Sequence, residues 1–409
     1  MNTQEPFPAT LAAAHERIAA LRVAEYARTR NALDGAVTRL SPYITHGFVS
    51  LPEVLAGVAG RAVPQRLSLQ HKFVFELGWR EFFQHLWQHR GSGILADTHP
   101  GPLPAQAYTR ELPADIRQAR TGVPVVDQAV RELYATGYLH NHARMWLASY
   151  VVHLRKVHWR AGADWMLAHL LDGDLASNHL SWQWVAGTGS AKPYLFNADN
   201  VARHAPTVWH SPGSVVDASY ETLEARARTP EPVPAQPVGE GVEEPLVYTE
   251  PPLPLQANGS TLASELSERD VWIVHPWALG ALPADLPAGC RTLAWWPAEH
   301  HEAWPWSAAR WRFVGTRMAE LDGPPWLGNQ RQLAQALSTA RSVQTLGNGH
   351  VMAWLPACVT VRPAPRLFAE VDRPCPSFFA WWKRATQGMR SLSDLPGLQT
   401  LELSAATPP

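Results

Sequence analysis

Polar and aromatic residues recur at helical spacing in the segment Asp172–Trp184. If this segment is a helix, Asp174, Asn178 and Trp182 share one face of it. A helix that packs into a core normally presents aliphatic side chains on that face. A carboxylate, an amide and an indole in their place indicate a planar ligand with polar edges. We interpret this ligand as a flavin.

A second segment, Phe73–Phe83, combines a carboxylate with bulky aromatic residues. Glu76 and Arg80 are one helical turn apart and can form an ion pair, and Trp79 and Phe83 make an aromatic ridge beside them. An ordinary amphipathic helix would show the same pattern. A carboxylate next to large rings also suits a cavity that accepts a flat nucleobase by stacking and one hydrogen bond.

An amide, a guanidinium and a thioether cluster at one end of a further predicted helix, in Asn141, Arg144 and Met145. A buried Arg144 needs a carboxylate partner, because an unpaired buried charge is strongly destabilising. We expect Asp172 to be that partner.

The segment Thr38–Tyr43 contains a Ser-Pro pair where a helix should begin. Free backbone N–H groups at that point, the hydroxyls of Thr38 and Ser41, and Arg39 could together hold a pyrophosphate. A plain helix cap is the alternative interpretation of the same residues.

No metal site is predicted. His140 and His142 have the spacing of metal ligands, but two further ligands are missing. The cysteines, Cys290, Cys358 and Cys375, show no paired spacing, so we expect neither disulfides nor an iron–sulfur or zinc site. The chain also shows no secretion signal and no apolar run long enough to cross a bilayer, so we expect a cytoplasmic protein without a membrane partner.

The composition is that of a soluble globular chain with an unusual number of tryptophans, 19 in 409 residues. Aromatic stacking, electron hopping and simple core filling could each account for them. Residues 1–215 carry 20 Lys and Arg against 16 Asp and Glu. This excess permits contact with phosphates, but it is much smaller than that of a dedicated nucleic-acid-binding protein.

The sequence predicts an α+β multidomain protein whose parts are joined by a Pro-rich segment at residues 229–260. This segment lacks periodicity and favours extended backbone; a long ordered strap over the first domain is the alternative to a linker. Residues 1–228 are predicted to be all-α, and residues 261–409 to form a small α/β domain with a partly parallel sheet. The predicted helices lie near residues 10–30, 41–58, 66–90, 123–136, 141–157, 162–171, 174–185 and 328–341, and the predicted strands at 271–274, 292–296 and 311–314.

Four motifs, taken together and in order, resemble the flavin-binding helical domain of the photolyase and cryptochrome family. They are Thr121–Asp127, Asn141–Met145, Asp172–Asp174 and Trp182–Trp184. The resemblance spans roughly residues 10–205. It is strongest to the short, photolyase-related members.

The resemblance implies that the cofactor is FAD and that site residues carry over at matching positions. FAD phosphates and ribityl chain would be contacted by Tyr26, Thr38, Arg39, Leu40 and Ser41, the isoalloxazine ring would be bordered by Arg144, Asp172 and Asp174, and Asn178 would face its N5; Phe73, Arg80 and Asn141 complete the cofactor-binding set. The catalytic residues, which would line the cavity for a flipped lesion, are Glu76, Trp79, Asn141, Met145 and Trp184, and the electron-transfer residues are Trp182 and Trp159.

Three features depart from the family pattern. The outermost tryptophan of the family's electron-transfer chain falls on Gln106, with Tyr108 as the nearest aromatic residue. His142 replaces the basic residue that usually follows the cavity asparagine, which would weaken a phosphate contact at neutral pH. The α/β domain that normally precedes the flavin domain is missing from the expected order, and Phe73 replaces a common cavity tryptophan.

The leading functional hypothesis is light-driven, FAD-dependent repair of a flipped cyclobutane pyrimidine dimer by a deoxyribodipyrimidine photolyase-like carbon–carbon lyase. Its partner would be UV-damaged DNA, single- or double-stranded, and the protein would be a monomer. A cryptochrome-like blue-light signalling flavoprotein, with a partner bound through the C-terminal domain, is the alternative. A third reading is an FAD-binding protein that has lost both roles. The C-terminal domain could serve as a structural cover, a partner-binding surface or an antenna site.

Overall fold

The computed structural model describes residues 6–59, 67–252, 259–322 and 325–406. Among the helices of these ranges, none combines the length and the apolar character that crossing a bilayer requires. The α-helices are α1 (Leu11–Ala19), α2 (Val23–Thr29), α3 (Ser41–Thr45), α4 (Leu51–Ala59), α5 (Lys72–Arg90), α6 (Ala114–Arg117), α7 (Pro124–Thr136), α8 (Asn141–Ser149), α9 (Trp159–His169), α10 (Leu175–Ala186), α11 (Ala198–His204), α12 (Tyr220–Ala227), α13 (Gly259–Glu265), α14 (Ala298–Ala303), α15 (Ala308–Asp322), α16 (Gln330–Ala336), α17 (Phe378–Ala385) and α18 (Pro396–Ala406). A π-helix covers Tyr150–Leu154, 3₁₀-helices cover Gly91–Leu95, Ala105–Ala107, Thr207–Trp209, Met352–Trp354 and Leu392–Asp394, and the strands are β1 (Val247–Tyr248), β2 (Asp270–Val274), β3 (Arg291–Pro297), β4 (Trp306–Ser307), β5 (Trp326–Gly328), β6 (Ser342–Leu346) and β7 (Thr360–Arg362).

The chain forms two compact units, and neither is a continuous stretch of sequence. The first unit contains residues 1–21, 38–85 and 247–409, and the second contains residues 22–37 and 86–246. This division differs from the predicted one, in which residues 1–228 form one domain. The chain does leave the second unit within the Pro-rich segment, between Leu246 and Val247.

The described part of the Pro-rich segment has the character of the ordered strap that was the alternative to a linker. Between residues 229 and 246 it makes repeated backbone hydrogen bonds to the rest of the second unit. The N–H groups of Val233, Val238 and Val242 donate to the carbonyl oxygens of Leu154, Arg120 and Gln118 over 2.8, 3.1 and 2.8 Å. Residues 253–258 of the predicted linker lie outside the described residues.

The second unit is helical, and its core is built from α7 to α10 and the π-helix. Helix α7 begins at Pro124, whose missing N–H is not needed in a first turn, and ends at Gly137, which takes the left-handed conformation with φ 66°. Helices α9 and α10 pack closely because Gly162 has no side chain. A Cβ atom there would lie 2.4 Å from the Trp182 ring.

The first unit contains a parallel sheet, as predicted for the C-terminal half. Within the described ranges it has five strands in the order β5-β3-β2-β6-β7, all parallel to their neighbours. The side chains of β2 and β3 are buried along most of their length, which is typical of strands covered on both faces. The predicted strands at 271–274 and 292–296 are confirmed.

The predicted strand at 311–314 is wrong, because these residues lie inside helix α15. Three apolar or aromatic side chains in four positions suggested a strand. In the structure Trp311, Val314 and Met318 are fully buried at spacings of three and four residues, which is the period of a helix. The good helix formers that follow the run, from Arg317 to Leu321, extend the helix past the apolar run.

Residues 38–85 share the first unit with the sheet because hydrogen bonds join them to the loop after β2. The Nδ1 atom of His46 lies 2.6 Å from the Pro276 carbonyl oxygen, and since a carbonyl only accepts, His46 is the donor. The N–H of Leu279 donates to the His46 carbonyl oxygen over 3.0 Å. Gly47, at φ 66°, allows this approach, since a Cβ there would lie 2.7 Å from the Trp277 carbonyl oxygen.

Candidate cofactor and substrate site

Asp174 and Asn178 are held at the start of α10, on the predicted helix. Asp174 is the N-cap, and its Oδ1 atom accepts a hydrogen bond from the Ser177 N–H over 2.7 Å. The Nδ2 atom of Asn178 donates to the Ala163 carbonyl oxygen over 2.8 Å. This bond fixes the amide so that its Oδ1 atom is the acceptor left for a ligand. Both residues are buried.

The predicted ion pair between Arg144 and Asp172 is confirmed. The Nη2 atom of Arg144 lies 3.0 and 2.8 Å from the two carboxylate oxygens of Asp172. The Nε atom donates to the Leu139 carbonyl oxygen over 2.9 Å, which orients the guanidinium. The Asp172 side chain is 4% exposed and the Arg144 side chain 24% exposed, so the carboxylate is the partner that depends more on the pair.

The two predicted electron-transfer residues, Trp182 and Trp159, are both buried in the second unit. Trp182 packs over Gly162 of helix α9, the helix that begins with Trp159. The Trp159 indole donates to the Asp97 carboxylate over 2.6 Å. Trp159, Asp97, His158 and Tyr108 also line one cleft.

Tyr108 lies beside this pair, although the matching position for an outer tryptophan falls on Gln106. The His158 ring is 5.7 Å from the Trp159 ring and 6.3 Å from the Tyr108 ring, between centroids. Burial raises the pKa of the Tyr108 hydroxyl, and Asp97 adds to the shift. Tyr108 is therefore an aromatic neighbour of the buried pair through His158.

Of the predicted lesion-contacting residues of the second unit, Asn141 and Trp184 are exposed and Met145 is half-buried. Asn141 is exposed at the first turn of α8, and its Nδ2 atom lies 3.3 Å from the Met145 Sδ atom. Trp184 is 42% exposed, whereas Trp182 of the same helix is buried. Such exposure is high for a tryptophan. The Trp184 ring packs against the Tyr194 ring, with 5.7 Å between centroids.

His142, which stands where the family carries a basic residue, is uncharged at neutral pH. Burial is the main cause that lowers its pKa to about 4, and the neighbouring His204 and Arg30 contribute to this shift. Its ring packs against those of His140, Trp146 and His204. The expected loss of a positive charge at this position therefore has a structural cause.

In the first unit, the predicted residues of α5 differ in burial. Phe73 is buried, Glu76 is exposed, and Trp79 is half-buried. The Arg80 guanidinium donates to the Thr45 hydroxyl of α3. The Trp79 indole is stacked on Phe378, a residue that sequence reasoning did not single out.

The predicted phosphate-binding segment precedes α3, also in the first unit. The N–H of Leu40 donates to the Thr38 hydroxyl over 3.2 Å, and Leu40, the N-cap, provides no capping side chain. The plain-cap interpretation therefore lacks its hydrogen bond. Arg39 has a positive φ of 50°, a strained conformation for a residue with a Cβ, which often marks a functional segment.

The predicted site residues divide between the units as follows. The first unit contains Thr38, Arg39, Leu40, Ser41, Phe73, Glu76, Trp79 and Arg80, and the second contains Tyr26, Asn141, Arg144, Met145, Trp159, Asp172, Asp174, Asn178, Trp182 and Trp184. Sequence reasoning missed Asp97, Gly162 and Phe378. Only Phe378 had a local signal, the aromatic run Phe378–Trp382.

Comparison with known proteins bears on the helical part of the chain. Residues 73–208 match the family described as the FAD binding domain of DNA photolyase. The deoxyribodipyrimidine photo-lyase of Streptomyces griseus is 37% identical over 175 residues, which are 41% of this chain and 36% of that protein. Cryptochrome DASH of Natronomonas pharaonis is 30% identical over 258 residues, 58% of this chain and 52% of that protein.

Among solved structures, a cryptochrome of Synechocystis sp. is 28% identical, with a TM-score of 0.42 over 47% of this chain and 43% of that chain. The matches span between about a third and a half of the length of these curated relatives. Residues 73–208 are the part that the family description covers. Residues 73–208 of the chain are therefore similar to the FAD-binding domain of the photolyase and cryptochrome family.

Proposed function

We propose that this protein is a light-driven DNA-repair lyase that uses FAD to split cyclobutane pyrimidine dimers. One observation carries the proposal: three of the five residues assigned to the lesion are exposed, whereas those assigned to electron transfer and to the flavin ring are mostly buried. Glu76, Asn141 and Trp184 are exposed. A pure light sensor has no need to present a carboxylate, an amide and an indole to a substrate.

The buried polar groups of the second unit suit the edge of an isoalloxazine ring. Arg144, Asp172, Asp174 and Asn178 are the residues we assign to it. A guanidinium can donate to ring carbonyl oxygens, a carboxylate can accept from a ring N–H, and the Asn178 oxygen can accept from a protonated N5. An amide does so without adding negative charge, which favours reduced states.

In the first unit, we assign the FAD phosphates to residues 38–41, which lead into the first turn of α3. Thr38, Arg39 and Ser41 provide hydroxyl and guanidinium donors, and the first N–H groups of α3 add backbone donors. Phe73 and Arg80 of α5, with Leu40, complete the assigned set of this unit. Tyr26, which we also assign to FAD, belongs to the second unit.

Reduced FAD, when bound, supplies the electron that a blue or near-UV photon releases. We assign to the lesion two indoles that can stack a pyrimidine ring, Trp79 and Trp184, and two polar side chains that can hydrogen-bond a base edge, Glu76 and Asn141. Entry of this electron into the dimer would break both carbon–carbon bonds of the cyclobutane ring, and the electron would then return to the cofactor. The reaction therefore has no net oxidation or reduction.

Trp182 and Trp159 are assigned to recharging the cofactor with electrons. Their burial keeps water from the indoles, and the Asp97 carboxylate stabilises positive charge on Trp159. These features support a one-electron route through the second unit.

A repair assay tests the proposal. FAD-loaded, chemically reduced protein is illuminated with single- and double-stranded oligonucleotides that contain one thymine dimer, and restored thymines are measured. We expect splitting in light and none in darkness. Trp184→Ala should weaken dimer binding about tenfold through lost stacking. Tyr220→Ala, which removes an aromatic ring 47% exposed elsewhere on the same unit, should leave binding unchanged.

The second candidate function is blue-light signalling, and the state of His142 favours it. Because burial keeps this histidine uncharged, the position offers no cation to a DNA phosphate. Wild-type protein that binds and photoreduces FAD but splits no dimer in either strand context would support signalling and contradict repair.

A further inference from the structure

An aromatic helix of the C-terminal region, α17, packs on α5 within the first unit. The Phe378 and Trp79 rings are stacked, with 4.2 Å between centroids and 9° between planes. Phe378 therefore covers one face of the indole. It is 3% exposed, whereas its neighbour Phe379 is 70% exposed.

A tight contact between two aromatic-bearing helices holds α17 in place. Trp382 lies against Gly78 so closely that a Cβ atom at that glycine would be 2.6 Å from the indole ring. The Trp382 ring is also 4.5 Å from the Phe75 ring. Only a glycine at this position of α5 allows the approach.

A second anchor lies one turn further along α5. The Glu81 carboxylate accepts hydrogen bonds from the backbone N–H groups of Leu367 and Phe368. The Phe368 ring in turn packs against Trp381 and Trp382 at 5.6 and 5.1 Å. The chain before α17 is thus tied to the same helix as α17 itself.

These contacts make α17 a fixed wall and not a displaceable lid. Its release would expose Phe378, Trp381 and Trp382, all buried, and would remove two donors from the Glu81 carboxylate. One stacked base stabilises a complex far less than the burial of three aromatic side chains stabilises the fold. A substrate base therefore cannot replace Phe378 on its face of Trp79.

We propose that Phe378 is a positioning residue: it fixes the plane of the Trp79 indole from one side so that the opposite face stacks a flipped base of damaged DNA. This inference rests on the proposed repair function and extends its site to α17. A loose indole would have to be ordered when the base binds, and the loss of that freedom would weaken binding.

The test measures binding of a single-stranded oligonucleotide with one thymine dimer and of the same oligonucleotide undamaged. The variants are Phe378→Leu, which removes the ring but keeps apolar volume, Phe378→Tyr, which keeps the ring, and Phe379→Leu as the matched exposed control. Each is made in the FAD-loaded full chain and checked by thermal unfolding. Phe378→Leu is also combined with Trp79→Leu.

We expect Phe378→Leu to lower the preference for the dimer about tenfold, whereas Phe378→Tyr and Phe379→Leu retain it. In the Trp79→Leu background, Phe378→Leu should have no further effect, because the residue acts through the indole. If Phe378→Leu and Phe379→Leu prefer the damaged oligonucleotide equally, or if Phe378→Leu binds the dimer more tightly than wild type, the inference about Phe378 is wrong. The proposed repair function would be unaffected by either result. Wild-type protein without any preference for the dimer would overturn both.

Discussion

Arg144 and Asp172 are joined by two hydrogen bonds, and the carboxylate is the more buried partner. Arg144→Met should therefore remove the cation that faces the buried Asp172 carboxylate and lower the free energy of unfolding by about 3 kcal/mol. Urea unfolding of the FAD-free protein measures this. Adding Asp172→Asn to the same variant removes the charge and should restore part of the loss. A double variant less stable than Arg144→Met would contradict the explanation.

Tyr108 is the residue that we expect to end the aromatic route from Trp159. Tyr108→Phe keeps the ring but removes the hydroxyl whose proton must leave on oxidation, so it should slow light-driven FAD reduction by the intact protein. Gln106→Ala, at the position that matches the family's outer tryptophan, should not. Transient absorption after a light pulse follows both. Equal rates for Tyr108→Phe and wild type would remove Tyr108 from the route.

Single residues were predictable where chemistry alone demanded a partner. Arg144 and Asp172 are opposite charges at two predicted helix ends, so their pairing followed from the electrostatic penalty of burial. Asp97 carried no such signal, because an aspartate that accepts from an indole 62 positions away looks like any surface carboxylate in the sequence.

At the scale of elements, the close packing of α9 against α10 depends on a single glycine, Gly162. Gly162→Ala would place a methyl group 2.4 Å from the Trp182 ring, so the indole or the helix must shift. We expect a loss of about 1–3 kcal/mol in stability and slower light-driven FAD reduction. Thermal unfolding and the reduction rate measure the two effects.

Gly93→Ala is the matched control for that variant. A Cβ atom at Gly93 has its nearest neighbour at 3.7 Å, an ordinary contact, in the same unit. If Gly162→Ala behaves like Gly93→Ala, the Trp182 ring does not pack against Gly162 as closely as the geometry indicates.

Helices were the most predictable elements, because the 3.6-residue period persists over several turns in α5, α7 and α10. The apolar run at 311–314 was too short to show a period and was mistaken for a strand. The π-helix at Tyr150–Leu154 could not be predicted from the sequence either, since its residues continue the predicted helical pattern of 141–157 without interruption. The spacing of apolar residues identifies a helix or a strand only where the element is long enough for the spacing to repeat.

At the scale of the whole molecule, the order of the chain does not follow the division into units. Residues 38–85 were predicted to belong with the helices that follow them, yet they share a unit with the C-terminal sheet. The contacts responsible, such as that of Glu81 with Leu367, join positions 286 residues apart. Neither composition nor local pattern carries information about a pairing of that separation, so a Pro-rich segment was the best available sign of a boundary.

Glu81 makes this long-range closure sensitive to pH. Burial raises the pKa of its carboxyl from 4.5 to about 7, although the N–H groups of Leu367 and Phe368 and the charge of Arg366 act in the opposite direction. The folded state therefore holds the proton more tightly than the unfolded state. The resulting stabilisation is complete below pH 4.5 and is lost as the pH rises through about 7.

Glu81→Gln replaces the carboxyl by a neutral group of the same shape and should remove this dependence. The difference in unfolding free energy, wild type minus variant, should fall by at most about 3 kcal/mol between the two pKa values as the pH is raised. Urea unfolding at several pH values measures this difference. A difference that is constant with pH would mean that the carboxyl has the same proton affinity in both states. Leu367 and Phe368 would then be held to α5 by a permanently charged acceptor, and the closure of the first unit would not weaken as the pH rises.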